Sequence, residues 1–279
     1  MSATAPRRSA APALEGSLAE DDVKSCCAAL YEHPGVRWLL GGELHPGGET
    51  TTRRSLELIG AKPGERLLDV GSGTGSSALV AAREFGCVVA GVDYGPAAVR
   101  DAQQAAEAEG LCDQVGFVVG DAESLPFREG EFDAVLCECS LSTFPDKRRA
   151  LAEMRRVLRP GGRLGLSDVV VDPKPLPSAL GTALAAIACV GEALPRAGYE
   201  DMLRDAGLRP YAVESRDSEA AALAERVHER LRGARLIAAG AGATALARPE
   251  AIELARLAME AIADGALGYA IFAAEAPIA

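Results

Sequence analysis

The spacing of apolar residues changes character at Glu65. Upstream, Asp21 to Leu40 and Thr51 to Ile59 repeat their apolar positions at helical spacing, with "GGELHPGGET" (Gly41 to Thr50) as a glycine-rich loop between them. Downstream, short apolar runs take over: "ERLLDVGSG", "CVVAGVDY", "VGFVVGDA", "FDAVLCEC" and "RLGLSDVV" read as buried strands. Between them lie the helical runs "SSALVAAREFG", "PAAVRDAQQAAEAEG" and "KRRALAEMRRVLR", the last stopped by "PGG". This alternation predicts an α/β fold, a doubly wound and mostly parallel sheet covered on both faces. After "VVDPKPLP" the rhythm breaks. Ser178 to Ala206 reads as helices returning to the sheet at "LRPYAVESRD", and helical runs near Ser218 to Ala239 and Pro249 to Ala263 lead to the strand-like "GYAIFAAEAP". The expected organisation is a flexible tail over residues 1–20 and one domain over 21–279, with N-terminal helices at 21–60 and helical insertions at 172–206 and 217–264.

Composition narrows the class. A chain of 279 residues with 48% hydrophobic and 25% charged residues has the balance of a globular protein, and no window offers the roughly 20 apolar residues of a membrane span. The opening "MSATAPRRSAAPALEGS" lacks the apolar stretch of a secretory signal, so a cytoplasmic location is expected. A net charge of −11 without a basic stripe argues against nucleic acid as a partner. The seven cysteines, an odd number, read better as free thiols than as a disulfide framework. Oligomeric state is not legible.

The chemistry begins at "LLDVGSGTG". Gly71, Gly73 and Gly75 stand between a strand and a helix, Asp69 precedes them, Asp93 ends the second strand and Asp121 the third. Glycines let the backbone turn and approach a ligand, and an acid at the second strand end accepts hydrogen bonds from ribose hydroxyls. The spacing is G-x-G-x-G, which differs from the dinucleotide fingerprint G-x-G-x-x-G.

Together "LLDVGSGTG", "VDYG", "GDAESLPF", "FDAVLCECSLSTFPDK" and "RVLRPGGRLGLSD" resemble the successive motifs of class I S-adenosylmethionine-dependent methyltransferases, over about Glu65 to Val171. The resemblance implies a Rossmann-like seven-stranded sheet whose last strand is antiparallel. It assigns the methionine part of S-adenosyl-L-methionine to Asp69 and the Gly71–Gly75 turn with Ser72 and Thr74. The ribose goes to Asp93 beside Tyr94, and the adenine to Asp121, Ala122 and Glu123; Glu138 joins the cofactor neighbours. It does not fix the methyl acceptor.

Three further segments are similar to arsenite methyltransferases: "DVKSCCAA", "CECSLSTFPDK" and "ACVGEALPRAGYEDMLRDAGL". That likeness implies Cys26 or Cys27, Cys139 and Cys189 as thiolate ligands of trivalent arsenic, a soft centre suited to soft donors. The sequence departs from that pattern at "LSTF", in the extra Cys137 and in the "LLGGELHPGG" loop, and the extended C-terminal domain common in that family is not expected. Alternation along the fourth strand would point Cys137 the same way as Cys139, while Cys87 and Cys112 read as small buried hydrophobes. His45, in the loop ahead of the sheet, is a candidate base. Three activities therefore stand open: methyl transfer to thiolate-bound arsenic or a related soft nucleophile, methyl transfer to oxygen, nitrogen or carbon of a small metabolite, and metalloid binding without catalysis.

Overall fold

The structure, a computed structural model, describes residues 20–171, 174, 176–180, 193–238 and 248–278. The expected tail over residues 1–20 falls outside these apart from residue 20, as do most of the insertion around Cys189 and the side chain of Cys27.

Strands β1 (Arg66–Val70), β2 (Val88–Asp93), β3 (Val115–Val119), β4 (Phe132–Glu138), β5 (Leu158–Val171), β6 (Arg209–Ser215) and β7 (Leu267–Glu275) form one sheet in the order β3-β2-β1-β4-β5-β7-β6. Pairings among β1 to β5 are parallel; β7 runs antiparallel to both β5 and β6. The order reverses direction between β1 and β4, where the C-terminal strand ends of an open α/β sheet leave a crevice.

Both faces are covered. Alternation sends Leu67, Ala134 and Leu136 to one core, with α3 (Gly48–Leu58), α4 (Ser76–Phe85) and α5 (Pro96–Ala108) over it. Leu68, Val70, Val135 and Cys137 go to the other, beneath α6 (Lys147–Val157) and α7 (Arg196–Asp205). Local signals set the helix ends: α4 stops at Gly86 with φ 69°, α5 starts with Pro96 in its first turn, and the Asp146 side chain accepts the Arg149 amide at 2.9 Å at the start of α6.

The N-terminal segment differs from expectation. It is two helices, α1 (Glu20–Glu32) and α2 (Pro34–Leu40), because Pro34 lacks an amide proton and fits a first turn better than an interior, with His33 Nδ1 accepting the Gly35 amide at 3.1 Å. Strand β5 also begins earlier than expected, at Leu158, and runs through the "RPGG" segment. Between β6 and β7 lies a helical hairpin, α8 (Asp217–Ala238) and α9 (Pro249–Ala263), and α8 reaches across to α2. Among the described residues, no helix is long and apolar enough to cross a membrane.

Candidate active site

A pocket opens above the C-terminal ends of β1, β2 and β4, with α1 along one side. Its base is the turn after β1. The amides of Gly71 and Ser72 both reach the Val92 carbonyl, at 2.9 and 3.1 Å, and the Gly73 amide donates to Asp93 Oδ2 at 2.8 Å. Asp93 Oδ1 takes the Gly95 amide at 2.8 Å, so this one carboxylate shapes the turns after both β1 and β2. Gly71 has φ +73°, and a Cβ there would lie 2.4 Å from Ser140 Oγ. Only glycine fits that position.

Charge is concentrated here. Asp69 is buried at 1% exposure, and its Oδ2 has no protein partner; neither does the buried Ser72 Oγ. Burial, with Glu138 and Asp93 nearby, pushes the Asp69 carboxyl up to about 8. Asp93 is raised as well, by its own burial, although the Gly95 and Gly73 amides oppose the shift.

Glu138, at the end of β4, is satisfied by hydroxyls. Thr52 Oγ1, Ser55 Oγ, Ser77 Oγ and Ser167 Oγ donate to it at 2.7, 2.9, 2.7 and 3.3 Å. Four hydroxyls thus converge on one carboxylate as donors. His45 is 6% exposed and stands beside this group, its Nε2 3.7 Å from Glu138 Oε2 and 3.5 Å from Thr52 Oγ1. The loop carrying His45 is braced from α8: Arg226 pairs with Glu43 at 2.8 Å, and Arg230 donates to the carbonyls of Trp38 and Leu39, both at 2.9 Å.

At the third strand end, Asp121 and Glu123 meet a partner that sequence reasoning passed over. Lys24 Nζ, from α1, lies 2.8 Å from Asp121 Oδ2 and 2.6 Å from Glu123 Oε2. Glu32, also on α1, accepts the amides of Ala97 and Ala98 at 3.0 and 3.1 Å, supplying the first turn of α5 with the cap that Gly95 lacks.

The anticipated residues do not all meet. Asp69, Gly71, Ser72, Gly73, Thr74 and Asp93 line the pocket, as do Tyr94, Asp121, Ala122, Glu138, Cys139 and His45. Gly75 instead caps α4, and Glu123 is buried behind Lys24 with its Oε1 on the Asp146 amide. The thiols separate. Cys139 is in the pocket wall, Cys137 is fully buried in the core, Cys26 is exposed on α1 outside the pocket lining, and Cys27 and Cys189 carry no described side chain. Cys137 and Cys139 do not share an environment because β4 ends between them and Cys139 has φ 51°, the one left-handed non-glycine among the described residues. Cys87 is buried, its pKa pushed up to about 11 mainly by that burial, whereas Cys112, expected to be buried, is exposed in the turn after α5. No group of three potential metal ligands occurs among the described residues.

Comparison with known proteins agrees with this geometry. Residues 68–166 match a family described as a methyltransferase domain. The 27-O-demethylrifamycin SV methyltransferase of Amycolatopsis mediterranei is 34% identical over 177 residues, 60% of this chain and 63% of that protein. Alignments with the leading relatives span 46%, 63% and 55% of those proteins' own length. Among solved structures, the [4+2]-cyclase SpnF superposes with a TM-score of 0.72 at 25% identity, covering 94% of this chain and 98% of its own. Geranyl diphosphate methyltransferase in complex with S-adenosylmethionine superposes with a TM-score of 0.67 at 25% identity, covering 88% and 94%. The residues present fit that cofactor: a turn that excludes side chains, orphaned polar atoms on Asp69 and Ser72, and acids at three strand ends. Residues 68–166 match a methyltransferase domain, and the chain shares the seven-stranded fold of proteins that bind S-adenosylmethionine.

Proposed function

We propose that the chain transfers a methyl group from S-adenosylmethionine to a small organic acceptor. The observation that carries this reading is one pocket lined both by the glycine turn with its strand-end acids and by His45, Cys139, Thr143 and Phe144. When bound, the cofactor supplies an electrophilic methyl group on a sulfonium. Asp93 takes the ribose hydroxyls and Asp121 the adenine amino group, with Lys24 holding that carboxylate in place. Asp69 Oδ2 and the turn amides take the polar end of the methionine arm.

Glu138 is already engaged by the four hydroxyls that donate to it. His45 is the group in this wall suited to take a proton from an acceptor hydroxyl or amine, with Glu138 stabilising the imidazolium that results. Phe144 and the apolar side of Thr143 help keep water from the transfer.

One observation favours a second reading, transfer to arsenic or another soft nucleophile held by thiolates: Cys139 is in the same wall in a left-handed conformation that a turn must impose on it. The two readings part in a single experiment. Purified protein is incubated with methyl-labelled S-adenosylmethionine and either a panel of small hydroxyl, amine and acidic C–H compounds or arsenite with a thiol. Label on an organic acceptor, retained in Cys139→Ser and lost in His45→Ala, supports the first reading. Label on arsenic, lost in Cys139→Ser, supports the second. Tight cofactor binding with no label on any acceptor overturns both and favours binding without transfer.

A further inference from the structure

Two carboxylates bracket Cys139, and only one of them touches the pocket. Glu138 lines it; Asp168, at the far end of β5, is fully buried and does not. Asp168 Oδ2 accepts the Ser142 amide, and its Oδ1 accepts both the Ser142 hydroxyl and the Val169 amide, each at 2.8 Å. Burial pushes its carboxyl up to about 6, against the pull of these three donors and of Lys147. A buried acid is costly unless donors satisfy it, and two of the three donors to Asp168 come from Ser142.

What it holds is the turn that follows β4. Ser142 is the middle of a short 3-10 helix, Leu141–Thr143. Upstream of that helix, the Cys139 amide donates at 2.7 Å to the carbonyl of Ser167, the neighbour of Asp168. Consecutive residues of β5 therefore grip the turn at two points, the backbone of Ser167 at Cys139 and the carboxylate of Asp168 at Ser142. Between the grips the turn closes on itself, with Thr143 Oγ1 donating to the Ser140 carbonyl at 2.7 Å. Cys139, Ser140, Thr143 and Phe144 from this turn form the pocket wall, and Ser140 stands directly against Gly71. Nothing in the intrinsic preference of cysteine favours a φ of 51°, so the surroundings must impose it.

We infer that Asp168 is a positioning residue for methyl transfer: acting through Ser142, it fixes the Cys139–Phe144 turn as the acceptor-facing wall. This rests on the methyltransferase reading above. It does not depend on which acceptor is used.

The test reads the wall directly. Wild type, Asp168→Asn and Ser142→Ala are bound to S-adenosylhomocysteine and alkylated with iodoacetamide under native conditions, and each cysteine peptide is followed by mass spectrometry. The expected result is alkylation of Cys139 accelerated by about tenfold in Asp168→Asn, and by about threefold in Ser142→Ala, where the amide bond survives. Cys87 and Cys137 should stay slow in both variants, and the S-adenosylhomocysteine dissociation constant should stay within about threefold of wild type. Unchanged Cys139 alkylation in both variants overturns the inference. So does equal acceleration of all three thiols, which would mean general loosening. Should Asp168→Asn not fold, Ser142→Ala decides alone by the same criteria. Failure of the wild type to bind S-adenosylhomocysteine overturns the methyltransferase reading and leaves the thiol result to judge the turn.

Discussion

The two sides of the pocket are built by different means. The cofactor side is local and made of backbone: from Asp69 to Asp93, turn amides reach a carbonyl and a carboxylate within one β-turn-α-β unit. The acceptor side is assembled from distant side chains, with Thr52 and Glu138 separated by 86 positions and Glu43 and Arg226 by 183. Steric rules that admit only glycine act on the first side. On the second, a buried polar network must be satisfied all at once, and its members hold position only together.

The sharpest way to break this contrast is at Glu138. Glu138→Ala leaves four buried hydroxyls without their acceptor and should destabilise the protein by about 3–5 kcal/mol in urea unfolding, the scale expected when a buried charge network loses one partner. Gly71→Ala should act on the other side alone. The strain of a non-glycine at φ +73° is on the order of 1–3 kcal/mol, while the close approach to Ser140 should weaken S-adenosylhomocysteine binding by more than about tenfold in calorimetry. Comparable losses of stability and affinity in both variants would dissolve the distinction.

The same contrast explains what could be read in advance. The parallel sheet and the acids at its strand ends were legible because alternation, glycine and local turns carry them, whereas the antiparallel last strand was implied only by the family resemblance. Lys24 was not, because nothing local to "DVKSCC" says that this helix folds back on Asp121 and Glu123. Nor was Asp168, which reads as an acid at a strand end until Ser142 is seen against it. The separation of Cys137 from Cys139 was hidden by alternation itself, since that rule holds only while the strand lasts.

Asp69 gives a test with a sign. Its folded carboxyl is raised to about 8 from the ordinary value of 3.8, so the native state keeps a proton that the unfolded chain has released across that interval. Its contribution to stability is complete below about pH 4 and is lost as pH rises through 8. Asp69→Asn removes this titration. In cofactor-free protein the difference between wild type and variant should shift against the wild type by more than about 2 kcal/mol from pH 5 to pH 8, measured by urea unfolding at each pH. Parallel curves would show that Asp69 is ionised throughout and that the orphaned Oδ2 finds a partner in solution.

The smallest effect is expected where the acceptor side meets solvent. Arg226 and Glu43 are 39% and 47% exposed, and an exposed pair contributes about 0–1 kcal/mol, so Arg226→Ala should barely change unfolding. Yet Arg226 and Arg230 are the side chains by which α8 holds α2 and the loop carrying His45. If that brace sets the position of His45, the double variant Arg226→Ala, Arg230→Ala should lower kcat for the acceptor identified above by about threefold to tenfold, with stability within about 1 kcal/mol of wild type and S-adenosylhomocysteine affinity unchanged. Activity lost in step with stability would instead make the helical hairpin a piece of scaffold. Activity lost alone would extend the acceptor side from the pocket wall to a surface helix nearly 200 positions away, reached through side chains whose individual energies are too small to show in an unfolding curve.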